Sequence, residues 1–217
     1  MKVRILSLIA LLLAVAPMAP ASVISDASFF NGISKTVIDF ETDGLGYAVD
    51  LPEYGGQDMY AADEYALQGV AFDQVLTWVN DGGSDFDFAQ AVGGSPNNSI
   101  PGPAQDLFVM SFSEPVRAFG FWIVNDTSSL TAPTFTAKNA AGETIEAVSF
   151  QDALIDGTHG IAQYGFMGIY ADQDIASVEI SLDVAELDNL TFSSVPEPAT
   201  LTVLALSGLA LLRRRKP

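Results

Sequence analysis

In Val116-Arg117-Ala118-Phe119-Gly120-Phe121-Trp122-Ile123-Val124, an extended chain sends Phe119, Phe121 and Ile123 to one side. Ala118, Trp122 and Val124 go to the other side, because successive side chains of a strand alternate. Both sets are apolar, which predicts a central strand covered on both faces. Residues 106–113 read as the preceding strand, with Glu114-Pro115 as a compact turn between the two. Downstream, residues 134–138 alternate, residues 139–142 turn, and residues 143–150 return. Residues 161–170 form another apolar run, ended by a turn at Asp172-Gln173-Asp174. Then Ala176, Val178, Ile180 and Leu182 point inward, while Ser177, Glu179 and Ser181 point outward. Residues 187–192 close the series.

Upstream, residues 36–41 alternate and stop at Asp43-Gly44, and residues 69–79 hold two apolar stretches around Asp73 and Gln74. Residues 59–67 fit one short helix, and the Gly/Pro/Asn-rich run 93–103 reads as a surface loop. Frequent turns and about nine or ten strands predict an all-β chain, an antiparallel β-sandwich of jelly-roll type. No internal repeat interrupts it, so residues 22–194 read as one domain.

Charge is distributed very unevenly. Residues 22–194 carry 26 acids against three bases, Lys35, Arg117 and Lys138, a net charge of −23. Such a surface repels nucleic acid and anionic lipid headgroups and attracts divalent cations. The chain has no cysteine, which excludes disulfide scaffolds, thiolate zinc sites and cysteine nucleophiles.

The two ends read as processing signals. Lys2 and Arg4 precede an apolar run at 5–16, and Ala19 and Ala21 supply the small residues that a signal peptidase reads. Residues 1–21 are therefore expected to be a secretory signal peptide, forming an N-terminal signal helix and cut after Ala21. At the other end, Val195-Pro196-Glu197-Pro198 precedes an apolar run at 199–212 and a basic stop region, Arg213-Arg214-Arg215-Lys216. The prolines keep that segment extended. A C-terminal hydrophobic helix of this length reaches only about 21 Å, against a hydrocarbon core of about 30 Å. That suits a transient inner-membrane anchor with its basic cluster held in the cytoplasm.

The ordered trio at 195–217 resembles the PEP-CTERM sorting signal. The resemblance implies recognition by exosortase, a membrane-embedded processing enzyme of Gram-negative bacteria that make extracellular polysaccharide. It further implies cleavage near Pro196-Glu197-Pro198 and passage of the domain to the cell surface or matrix.

Three candidate sites lie within the domain. Asp39 and Glu41 share one side of the first strand and Asp188 opens the last, a set of oxygens that suits calcium. The alternative is that Asp39 and Asp188 cap strand ends and accept backbone hydrogen bonds. The succession Phe166-Met167-Gly168-Ile169, residues 175–182, then Asp188-Asn189-Leu190-Thr191-Phe192 looks like the end of carbohydrate-binding-module-like sandwiches. That likeness implies a structural calcium ion at the terminal aspartate. The acidic loop 81–87 offers a second set of carboxylates, or simply a solvated turn.

The third candidate is a sugar surface built from Tyr47, Tyr54, Tyr60 and Trp78, whose rings would stack on pyranose faces. The alternative is routine packing at sandwich edges, and Trp122 reads as core. His159 is the sole histidine, which excludes multi-histidine metal centres, and no serine sits in a nucleophile elbow. The expectation is a non-catalytic exported protein whose partners are exosortase, the secretion machinery and extracellular polysaccharide. The rival is a secreted hydrolase using a carboxylate pair.

Overall fold

The computed structural model of the chain describes residues 21–52, 56–80, 98–101, 107–126, 131–151, 154–182 and 185–193. Residues 1–20 of the N-terminal signal, the whole C-terminal signal and the acidic loop 81–87 lie outside these residues. Twelve strands form among them: β1 (Ser22–Ile24), β2 (Thr36–Ile38), β3 (Gly56–Tyr60), β4 (Val70–Phe72), β5 (Leu76–Asn80) and β6 (Asn98–Pro101). They continue with β7 (Leu107–Asp126), β8 (Thr134–Lys138), β9 (Thr144–Ser149), β10 (Gly157–His159), β11 (Ala162–Ser181) and β12 (Ala185–Ser193). All pairings are antiparallel, in the order β3-β5-β6-β12-β7-β11-β8-β9. β1 and β10 also pair with β11, β2 with β12, and β4 with β7.

Two long strands organise everything else. β7 and β11 pair from Ala162↔Asp126 to Ser181↔Leu107, and both were expected to be broken by turns. They run on instead, with bulges where the turns were expected. The register shifts between Tyr170 and Ile175, and again between Ile175 and Ser177. Pro115 falls in the second irregularity, where a residue without an N–H removes nothing from the ladder. Ala171 to Asp174 bulge opposite Arg117, whose Nε lies 2.7 Å from Asp174 Oδ1 and whose guanidinium also meets the Asp172 carbonyl. A bulge bends a strand and increases its twist.

The bend turns one hydrogen-bonded array into two layers. β12 and β1 pair with the parts of β7 and β11 on one side of the bend. β4 and β8 pair with the parts on the other side. Rings then meet across the interior: Phe135 of β8 lies 5.8 Å from Phe119 and 5.5 Å from Phe121 of β7. A sandwich-like all-β fold results.

The two-sided reading of residues 116–124 holds in full. Phe119, Phe121 and Ile123 enter the main core, while Ala118, Trp122 and Val124 join a second, smaller cluster. That cluster covers the outer face of the sheet beneath Ile24 and the 3-10 turn Ala27–Phe30. Phe30 stacks edge-on to Phe166 at 6.2 Å, and Phe166 edge-on to Trp122 at 5.8 Å.

Two local expectations are corrected. Residues 59–67 form no α-helix: Met59 and Tyr60 end β3, and only a 3-10 turn, Ala66–Gln68, follows before Gly69 takes a left-handed φ of 97°. The loop expected at 93–103 contains β6, held because Asn98 donates both its backbone N–H and its Nδ2 to Glu41, at 3.0 Å each.

Candidate functional site

The outer face of the sheet carries a cleft of about 590 Å³. Trp122 of β7, Asn189 and Thr191 of β12, and Val37 of β2 supply its sheet side. Asp26, Ser28 and Asn31 of the N-terminal segment form one wall, with Asp156 and Lys35 on its rim.

Each group is placed by local chemistry. Asp26 caps the 3-10 turn, its Oδ1 accepting the Ser28 N–H at 2.7 Å, which ties the wall to the cap. Asn189 adopts a φ of 49° at the register shift between β12 and β7. A bulge of this kind re-aims a side chain out of the ladder. The buried Asp188 beneath supports it, accepting the Asn189 N–H at 2.6 Å. Thr191 then donates its hydroxyl to the Asn189 carbonyl at 3.2 Å.

Trp122 is 8% exposed, and that remnant opens into the cleft. Its ring contact is with Phe166, and its indole N–H meets no hydrogen-bond acceptor among the described residues. An indole with its body packed and its donor open can take a hydroxyl and present an apolar edge together.

Asp156 arrives at the rim through the hairpin of β10 and β11, its backbone N–H held by the Tyr164 carbonyl at 2.9 Å. Partial burial, and then the negative charge of Asp26, raise its carboxyl above the ordinary aspartate range. The ionised form is thus penalised in the folded state, so stability from this group is full at low pH and is lost as pH rises through the raised value. Asp156→Asn is expected to raise the melting temperature at neutral pH by about 1 °C, a small effect because the group is largely exposed. The gain should close as pH falls into the carboxylate range, and melting curves from pH 7 to 3 check it.

The sugar surface expected from tyrosines is mostly interior. Tyr60 is 3% and Trp78 6% exposed, packed on each other at 4.6 Å between ring centres. Trp78 Nε1 donates to the Tyr65 hydroxyl at 2.9 Å, which donates onward to the Thr42 carbonyl at 3.0 Å. Trp78 has its donor satisfied, the Tyr60 hydroxyl is buried without a hydrogen-bond partner among the described residues, and both rings are covered, so neither presents a platform. Tyr47 is exposed on a turn capped by Asp43, and Tyr54 lies outside the described residues.

The calcium set also has local duties. Asp39 Oδ1 accepts the Glu41 N–H at 3.1 Å, Glu41 holds Asn98, and Asp188 holds Asn189. Among the described residues no group of three or more acids or histidines is gathered to hold a metal ion. The strand-capping alternative matches these bonds. His159 ends β10, paired to Ala162.

Sequence reasoning placed Trp122 in the core and missed its cleft edge. The one available signal was an indole donor in a strand apolar on both faces, where a polar atom needs an outlet.

Residues 194–216 match the PEP-CTERM protein-sorting motif. That motif implies export through the membrane with exosortase-dependent sorting. No curated protein matches the chain. Among solved structures, a point mutant of a carbohydrate binding module family 29 is similar at 11% identity and a TM-score of 0.32, covering 75% of this chain and 94% of its own. Isomalto-dextranase of Arthrobacter globiformis, complexed with panose, is similar at 17% identity and a TM-score of 0.33, covering 79% of this chain and 34% of its own. Among the described residues no helix is long and apolar enough to cross a membrane.

Proposed function

We propose that this chain is a non-catalytic surface or matrix protein, delivered through its PEP-CTERM tail, that binds extracellular glycan in the Trp122 cleft. The cleft itself carries the reading: a packed indole with an open donor beside Asn31, Asn189, Thr191 and two carboxylates. Pyranose rings offer just these needs, an apolar face and a rim of hydroxyls. The test is a glycan array probed with the protein and with Trp122→Phe. Loss of signal in the variant supports the reading, and no signal from either form removes it.

Delivery has its own test. Replacing Pro196, Glu197 and Pro198 by alanine is expected to leave the protein uncut in the inner-membrane fraction. Surface recovery equal to the parent would show that the motif is not the one being read.

The hydrolase reading is favoured by one observation, the coupling of Asp26 and Asp156 across the cleft. Asp26 is already engaged as a cap, which fits a supporting carboxylate better than a nucleophile. Release of reducing ends from any bound glycan, abolished by Asp156→Asn while binding persists, would replace the binding module by an enzyme.

A further inference from the structure

We propose that the cleft selects an amino sugar, its ammonium seated between Asp26 and Asp156 while the ring lies against Trp122. This rests on the glycan reading above and names the ligand class for that same site.

Charge is the first ground. Of the domain's three bases, Arg117 pairs with Asp174 and Lys138 with Glu179, so both are neutralised where they stand. Lys35 remains, exposed on the cleft rim. Neither Asp26 nor Asp156 has an ion-pair partner among the described residues. The Asp156 carboxylate accepts no hydrogen bond there, and Asp26 accepts the Ser28 N–H. The two come from segments 130 residues apart and meet in one cleft that holds a packed indole.

Desolvation is the second. A neutral sugar covering this cleft strips water from two carboxylates without returning a charge, and a uronate adds a third negative group. A protonated amine brings three donors and a positive charge to two carboxylates that have no ion-pair partner among the described residues. The raised carboxyl of Asp156 reports the same deficit: burial, and then the negative charge of Asp26, penalise its ionised form, and an ammonium would relieve that penalty. The acidic surface around the cleft steers a cationic chain toward it.

Calorimetric titration of the purified full chain tests this with glucosamine, N-acetylglucosamine and glucose tetramers of matched linkage, and with a uronic acid tetramer. The glucosamine tetramer is expected to bind at least about tenfold tighter than the acetylated one, more weakly at high salt. That preference should vanish in Asp26→Asn with Asp156→Asn, since asparagine at 26 still caps the turn. It should survive in a control with Asp58→Asn and Glu146→Gln, which removes equal charge elsewhere. Loss in both variants would mean attraction to the acidic surface at large and would overturn the site. Equal affinity for the amine, acetylated and glucose tetramers would overturn the amine preference and leave glycan binding standing. A preference for the uronic tetramer would place recognition at Lys35 instead and overturn the proposal. No binding of any tetramer would overturn both readings.

Discussion

Alanine at Gly168 is expected to destabilise the domain by about 3 kcal/mol, lowering its melting temperature by roughly 6–12 °C. Gly168 faces Gly120 directly across the β7–β11 ladder. A Cβ there would lie 2.2 Å from the Phe119 carbonyl oxygen and 2.9 Å from the Gly120 Cα. Both are backbone atoms of the neighbouring strand, so no rotamer change relieves the overlap and the two central strands must separate. Gly142→Ala is the matched control. It has a φ of 79° and nothing within 4 Å of the added Cβ, so it carries only the left-handed penalty of about 1 kcal/mol. Urea unfolding of both variants decides it. A Gly168→Ala protein that unfolds no more readily than Gly142→Ala would show that the strands do not need the glycine pair.

The second large effect is at Trp122. Trp122→Phe keeps most of the packed volume and is expected to cost less than about 1.5 kcal/mol of stability. It removes the indole donor and shortens the edge that reaches the cleft, and glycan affinity is expected to fall by tenfold or more. Trp122→Ala should abolish measurable binding but also empty the second core cluster, at about 3–5 kcal/mol. The phenylalanine variant is therefore the diagnostic one. If it binds like the parent while alanine does not, the cleft needs bulk and not a donor. Gly120→Ala should act in the same direction from beneath, because its Cβ would lie 2.5 Å from the Phe166 ring that supports Trp122.

Alternation made most of the strands readable. β8 alternates buried with half-buried side chains, and Val178, Ile180 and Leu182 are buried as their spacing demands, whereas at the bulge Ala176 is only half-buried and Ile175 takes the core position. The Asn139–Gly142 turn was readable because its chemistry is local: Asn139 Oδ1 accepts the N–H of Ala141 and of Glu143, at 3.0 Å each. Glu114-Pro115 and Asp172-Gln173-Asp174 carry the same turn residues, yet both lie in bulges of unbroken strands. What differs is a partner more than fifty residues away, Arg117 clasping the Asp174 bulge. Tyr60 and Trp78 misled for a related reason. An aromatic in an acidic stretch looks exposed until the tertiary fold supplies the other rings that bury it.

By itself, the sequence determined what is carried by contiguous residues. That includes the all-β class, the two-sided character of residues 116–124, the acidic domain and the sorting motif at 194–216. Periodicity, net charge and a linear signal are properties of the chain before it folds. Tertiary structure alone decided the cleft, because Asp26, Lys35, Trp122, Asp156 and Asn189 acquire a common environment only when β12 lies between β2 and β7. It also decided which aromatics face inward, since burial depends on layers brought together by non-local pairing, and no local pattern records which strand will be the neighbour.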